Sequence, residues 1–320
     1  MKISSVLCSF LTLAASALAS PSVHAQVDRQ MRIVVPTTAG GPLDVVGRAL
    51  ASGLARRVDH SVIVENRPGA GAIIGTEFVV KAPADGRTLL LASGFLATNS
   101  VLNKLAFDPL RDLVPVVELS QAGMIMVVRQ GLDARHPADL PNLAKRQAGG
   151  LNCAAPPGEM ALACEQLKQL LGGQLVVVPY PGVAPAMNAL IGGQVDIMLA
   201  PYDAVLAQLP GDRIVPLAST GNKPSMAPFD RLPLLMDTWP GFTVIGFLGV
   251  FAPAGTPPET VRLLNRHLNQ LLKEPQLGDF MKARGSTLEY DSPPGKLGAT
   301  MSDRMDYYRR VVVLLGLKPQ

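Results

Sequence analysis

Between Met31 and Leu50 the spacing of apolar residues changes from strand-like to helix-like across a glycine turn, and this change constrains the fold most. Ile33-Val34-Val35 reads as a strand buried on both faces, Pro36 ends it, and Thr37-Thr38-Ala39-Gly40-Gly41 forms a small turn. From Pro42 onward Leu43, Val46, Leu50 and Leu54 recur at helical spacing, with Arg48 and Arg56 off that stripe. Pro42 stands in the first turn, where a missing N–H costs little. A helix starting this way presents unpaired backbone N–H groups that suit a carboxylate or a phosphate. Thr37 and Thr38 add hydroxyls at the same mouth. Asp44 reads either as a charge complementing the helix dipole or as a ligand contact.

The same alternation runs along the chain. Val62 to Asn66, Thr88 to Ala92, Val114 to Glu118 and Ile125 to Val128 read as strands. So do Leu151 to Ala154, Leu175 to Val178, Val195 to Leu199, Ile214 to Ala218 and Val244 to Phe251. Helices are expected at 137–146, 158–170, 186–191, 259–272 and 294–314. Such alternation predicts an α/β fold of mixed, mostly parallel sheets with helices on both faces. Ligands then bind beyond the carboxyl ends of the strands. Three loops leave strands there: 36–41, 67–71 and 93–99. The opening device recurs at Pro179-Tyr180-Pro181-Gly182-Val183-Ala184-Pro185, so two helix starts are expected to face one another across a cleft. Tyr180 offers a phenol to a ligand or packs on its turn. Asp203, after the strand ending at Leu199, reads as a helix N-cap or as part of the cleft rim.

Several function classes lose their footing. With aromatics at 5% and no basic run interleaved with them, nucleic-acid binding has no footprint. Gly69-Ala70-Gly71-Ala72-Ile73-Ile74-Gly75 resembles a dinucleotide fingerprint. However, Asn66-Arg67-Pro68 separates it from its strand and no acidic residue follows a second strand, so it reads as a close-packed turn. Four histidines, His24, His60, His136 and His267, give a metal centre or a triad little material. No G-x-S-x-G elbow is present. No cofactor and no metal are expected.

Residues 1–25 read as a secretory leader: Lys2, an apolar stretch from Val6 to Leu18, and Val23-His24-Ala25 before Gln26. Export to the periplasm is expected, with cleavage after Ala25 and Ala17-Leu18-Ala19 as a second possible cut. Cys153 and Cys164 then meet an oxidising compartment. They are placed at a strand end and within a helix, and two buried free thiols are expected rather than a pair.

Seven stretches carry a resemblance. They are AGGPLD (Ala39–Asp44), VENRPGAGAIIG (Val64–Gly75), KAPADGRTLLLAS (Lys81–Ser93), FDPLRDLVPV (Phe107–Val116), VPYPG (Val178–Gly182), GGQVDIM (Gly192–Met198) and FAPAGTPPE (Phe251–Glu259). In this order they resemble the extracytoplasmic solute receptors of tripartite tricarboxylate transporters, the Bug family. The resemblance implies a two-domain periplasmic binding protein of type II-like architecture, monomeric and not an enzyme. Residues 26–128 plus 245–320 would form one domain and 129–244 the other. A ligand carboxylate would be held at two loops matching Thr37, Thr38, Ala39, Gly40 and Gly41, and Tyr180, Gly182 and Val183. Asp44, Ala70 and Ser93 match positions beside the ligand.

The second-domain side departs from the family pattern. A loop usually rich in hydroxyls and glycine, with a histidine, reads Ala154-Ala155-Pro156-Pro157-Gly158-Glu159. Ala155 and Gly158 are its candidate contacts, and Glu159 is expected as a solvated helix-start residue rather than an inward one. Pro181 replaces a common basic residue, Thr37 a common aromatic, and Leu232-Pro233-Leu234-Leu235-Met236-Asp237 a P-T-x-x-E-x-G pattern. The expected function is capture of a small carboxylated metabolite (a di- or tricarboxylate, an amino acid or an aromatic acid) and its delivery to the membrane permease. The alternative is a sensing receptor feeding a two-component system, and a periplasmic hydrolase is the weaker rival.

Overall fold

The computed structural model describes residues 30–58, 60–221 and 227–317. The leader and the cleavage after Ala25 expected from the sequence lie outside them. The first stretch forms β1 (Met31–Val35), α1 (Pro42–Ala55), β2 (Val62–Asn66), α2 (Ile73–Val80), β3 (Thr88–Ser93), α3 (Phe95–Leu102), α4 (Pro109–Asp112) and β4 (Leu113–Ala122). The middle forms β5 (Ile125–Arg129), α5 (Leu140–Arg146), β6 (Leu151–Ala155), α6 (Glu159–Leu170), β7 (Leu175–Pro179), α7 (Val183–Ile191), β8 (Ile197–Ala200), α8 (Tyr202–Leu206), β9 (Ile214–Ser219) and α9 (Leu235–Thr238). The chain closes with β10 (Gly246–Pro253), α10 (Pro258–Leu272), α11 (Pro275–Lys282), β11 (Thr287–Leu288) and α12 (Pro294–Leu314).

Two sheets result, in the orders β11-β4-β10-β3-β1-β2 and β7-β6-β8-β5-β9. The apolar runs are continuous because both faces of each sheet are covered. Ile33 and Val35 of β1 and Leu89 and Leu91 of β3 point into one core, together with α1 and α10. Val34, Leu90 and Ala92 point to the opposite face, which α3 and α12 cover. The second sheet repeats this period of two: Met126, Val128, Cys153 and Leu199 face one way, Ile125, Val127, Ala154 and Met198 the other. Pairs around β1 and β6 are parallel, whereas β10 and β5 pair antiparallel with their neighbours.

The sheets are joined where β4 runs into β5 and where the chain returns from β9 to β10. At this crossing Gly123 and Gly221 touch backbone to backbone: a Cβ on Gly123 would lie 2.8 Å from the Gly221 nitrogen. Thr220 ties the crossing together. Its hydroxyl accepts from the Met124 amide at 2.8 Å and donates to the Val244 carbonyl at 2.6 Å.

Four sequence expectations change. Ile125–Val128, expected with the first domain, pairs with β8 and β9 in the second sheet, so the chain leaves the first sheet at Ala122. The segment 93–99, expected as a loop, becomes helical from Phe95 because Leu96, Ala97 and Val101 bury against the first sheet. Helix α11, which short spacing hid, buries Leu277 and Met281. The free thiols are a disulfide: α6 folds back over β6, bringing Cys153 and Cys164 to a Cα–Cα distance of 6.0 Å. The bridge spans 11 residues, and chain-entropy arguments give it about 2–3 kcal/mol of stability. Urea unfolding of the oxidised protein and of a Cys153→Ala/Cys164→Ala variant should differ by about that amount. Equal stabilities would show that the bridge contributes nothing.

Candidate functional site

The loop 36–41 leaves the carboxyl end of β1 and delivers the chain to Pro42 at the start of α1. Its shape depends on Asp44, which is 2% exposed. The Asp44 carboxylate accepts from the Gly40 amide at 2.8 Å, Arg48 Nε at 2.9 Å and Asn66 Nδ2 at 2.9 Å. Asn66 also donates to the Thr37 carbonyl at 3.2 Å. These donors, the Gly40 amide foremost and Arg48 next, hold the Asp44 pKa at about 2 against the opposing effect of burial. These contacts make Asp44 a brace for the loop, a role that neither of its two sequence readings named. The amides of Thr38, Ala39, Leu43 and Asp44 donate to no other described residue, and Thr37 Oγ1 is buried without a hydrogen-bond partner.

Two adjoining cavities open between the sheets, of about 460 and 290 Å³. The first brings the start of α1 (Pro42) against the start of α7 (Val183 and Ala184), as the repeated turn predicts. The second runs to the crossing and is lined by Ser93 and Gly94 after β3, Gly123 and Met124, Gly246 and Phe247, and Glu159. Both cavities share Pro42, Pro201, Asp203 and Arg284. Asp203 is not the N-cap of α8, a position held by Pro201. It lies on the rim, accepts from the Ala204 amide, and meets Arg284 Nε at 3.3 Å.

Glu159 departs furthest from expectation. It opens α6 and points inward: Tyr308 of α12 donates to its Oε2 at 2.9 Å. A Cβ on Gly94 would lie 2.7 Å from Oε2, and one on Gly246 3.1 Å from Oε1. Burial raises the Glu159 pKa, while the Tyr308 hydrogen bond and the Arg304 charge pull it back down. Burial and the same carboxylate push the Tyr308 phenol well up, so Tyr308 stays a donor.

Of the residues expected from sequence, Ser93, Val183 and Asp203 line these cavities. Thr37–Gly41 and Gly182 immediately precede the lining residues Pro42 and Val183. Ala70, Ala155, Gly158 and Tyr180 line neither cavity. Ala70 sits in an exposed turn whose neighbour Gly71 accepts from Asn99 Nδ2, and the Ala155 carbonyl accepts from the Tyr180 amide at 3.2 Å. Arg284, missed from sequence, follows α11, and no residue pattern marks it.

The profile of the tripartite tricarboxylate transporter family receptor matches residues 46–293. The chain belongs to this receptor family. It is 31% identical over 322 residues to protein BugT of Bordetella pertussis, covering 96% of this chain and 95% of that one. The receptor is also similar to two solved structures, R. palustris Rpa4515 with adipate and the periplasmic binding protein BugD. The first shares 27% identity with a TM-score of 0.78, covering 91% of this chain and 98% of that one. The second shares 29% with a TM-score of 0.76, covering 91% and 99%. MatC from Rhodopseudomonas palustris, solved with bound malate, shares 25% with a TM-score of 0.75, covering 88% and 98%.

The Asp44 network yields a pH signature for the receptor. With the folded pKa below the ordinary 3.8, its contribution is complete above pH 3.8 and is lost as pH falls toward 2. An Asp44→Asn variant turns one donor against another. It should lose about 2 kcal/mol at pH 7 and show a shallower loss of stability below pH 4. A variant matching the wild type in urea melts at both pH values would remove the brace.

Proposed function

We propose that this receptor captures a small carboxylated metabolite between two domains in the periplasm and presents it to the membrane permease of a tripartite tricarboxylate-type transporter. The observation that carries the proposal is the meeting of the α1 and α7 starts across one cavity. Free amides at two helix starts suit one carboxylate, and ordered water bridges between amide and ligand need not be weak. Structural relatives solved with adipate and with malate support the same ligand chemistry.

Residues 30–122 with 246–317 would form one domain and 125–219 the core of the other. The crossing at Gly123 and Gly221 would act as the hinge. Asp203 and Arg284 extend from the two sides, and their ion pair would help to hold the closed form.

Thermal unfolding of the mature protein against a panel of carboxylates tests this. A ligand present at 100 times its dissociation constant adds about 2.7 kcal/mol, so one or more acids should raise the melting temperature by several degrees. Gly182 has an extended backbone and open space where a Cβ would sit. A Gly182→Val variant should therefore melt as the wild type does without ligand, yet lose the ligand-induced rise. No rise with any carboxylate would reject the carboxylate-receptor reading.

A further inference from the structure

Glu159 places a carboxylate where a carboxylate-binding cleft has least reason to carry one. It sits at the floor of the 290 Å³ cavity beside the crossing strands, in a wall built from Gly94, Gly123 and Gly246. Two groups oppose the cost of keeping it charged. Tyr308 donates to Oε2 and Arg304 lies near enough to favour the charge, while Gly94 and Gly246 leave the room the carboxylate occupies. Glu159 also begins its own helix, whose positive end favours an anion.

Two consequences follow from elementary electrostatics. A second carboxylate on the ligand would meet Glu159 between protein walls, where like charges repel more strongly than in bulk water. A cation or a strong donor would instead find a ready partner. Oε1 has no hydrogen-bond donor among the described residues and faces the open glycine wall. The same cavity carries one guanidinium, Arg284, whose buried Nε makes no hydrogen bond despite its ion pair with Asp203. The cavity thus offers both signs of charge.

Building on the carboxylate-receptor reading, we propose that Glu159 is the specificity-determining residue of this receptor, and that the ligand is an amino carboxylate. Its carboxylate binds on the side of the two helix starts and its ammonium donates to Glu159. Dicarboxylates of the same length are rejected by the built-in carboxylate.

The test compares three matched straight-chain series of two to six carbons: ω-amino acids, monocarboxylates and dicarboxylates. The α-amino acids of the same sizes are added, and binding to the mature protein is measured by calorimetry. In the wild type an amino acid should bind about tenfold or more tighter than the monocarboxylate and dicarboxylate of its length, a margin suited to one charge-assisted hydrogen bond. Glu159→Gln keeps an acceptor for Tyr308 and removes the charge. It should lose that margin and bind the dicarboxylate more tightly than the wild type does.

A wild type that binds a dicarboxylate as well as the amino analogue overturns the assignment and leaves the receptor reading standing. So does a Glu159→Gln protein with unchanged preference. Binding of no carboxylate to either protein overturns both. Should Glu159→Gln fail to fold, the wild-type ranking decides alone, since the three series differ only at the end that would meet Glu159.

Discussion

Two strands of chain pass between the sheets, and they pass so closely that only glycine fits on either side. A side chain on Gly123 or on Gly221 would enter the backbone of the other segment, and nothing there is flexible enough to move aside. Thr220 then uses both its hydroxyl and its backbone to join Met124 and Val244. The crossing is therefore narrow, well bonded and without bulky packing of its own, which is what a hinge requires. It is also the floor of the cavity, since Gly123, Met124 and Gly246 line it. Any movement of one sheet against the other must reshape the ligand space directly.

Above that floor the proposed site would rely on backbone more than on side-chain charge. Amides at a helix start are already oriented and cost little reorganisation when an anion arrives. Asp44 would oppose such an anion if its charge stood alone. It does not, because Arg48 pairs with it and the Gly40 amide donates to the same oxygen. The Gly40 amide is thereby engaged within the protein, and its bond to Asp44 braces the loop. The low pKa of Asp44 records how firmly that arrangement favours the charged form.

The sequence revealed the fold well because its signals are local and repeated. Ile33-Val34-Val35 and Leu89-Leu90-Leu91 are continuous apolar runs since each residue meets one of two cores. The helices Pro258–Leu272 and Pro294–Leu314 are long enough for their stripes to be counted. What escaped depends on distant partners. Cys153 and Cys164 meet only because a helix folds back across its strand. Glu159 turns inward because Tyr308, far along the chain, supplies a donor there. Arg284 reaches the cleft from the end of an eight-residue helix whose period is too short to read. The two turn motifs were legible as helix starts, which the structure brings to one cavity, whereas the tight use of Asp44 was not, because it requires Asn66 on a neighbouring strand.

Glu159 also connects stability with selectivity. Burial raises its pKa, so the empty protein bears a cost for ionising it at neutral pH. A residue kept for packing alone would gain by being neutral, and the start of α6 has no need of a buried acid when an exposed one would complement the helix dipole equally well. The charge is instead favoured by the Tyr308 phenol and the Arg304 guanidinium, both on the last helix. On the proposed hinge closure, contacts of that kind would tighten as the sheets approach. The attraction between Oε1 and a ligand cation would strengthen as closure expels water, so the group proposed to select the ligand would also favour the closed form around it.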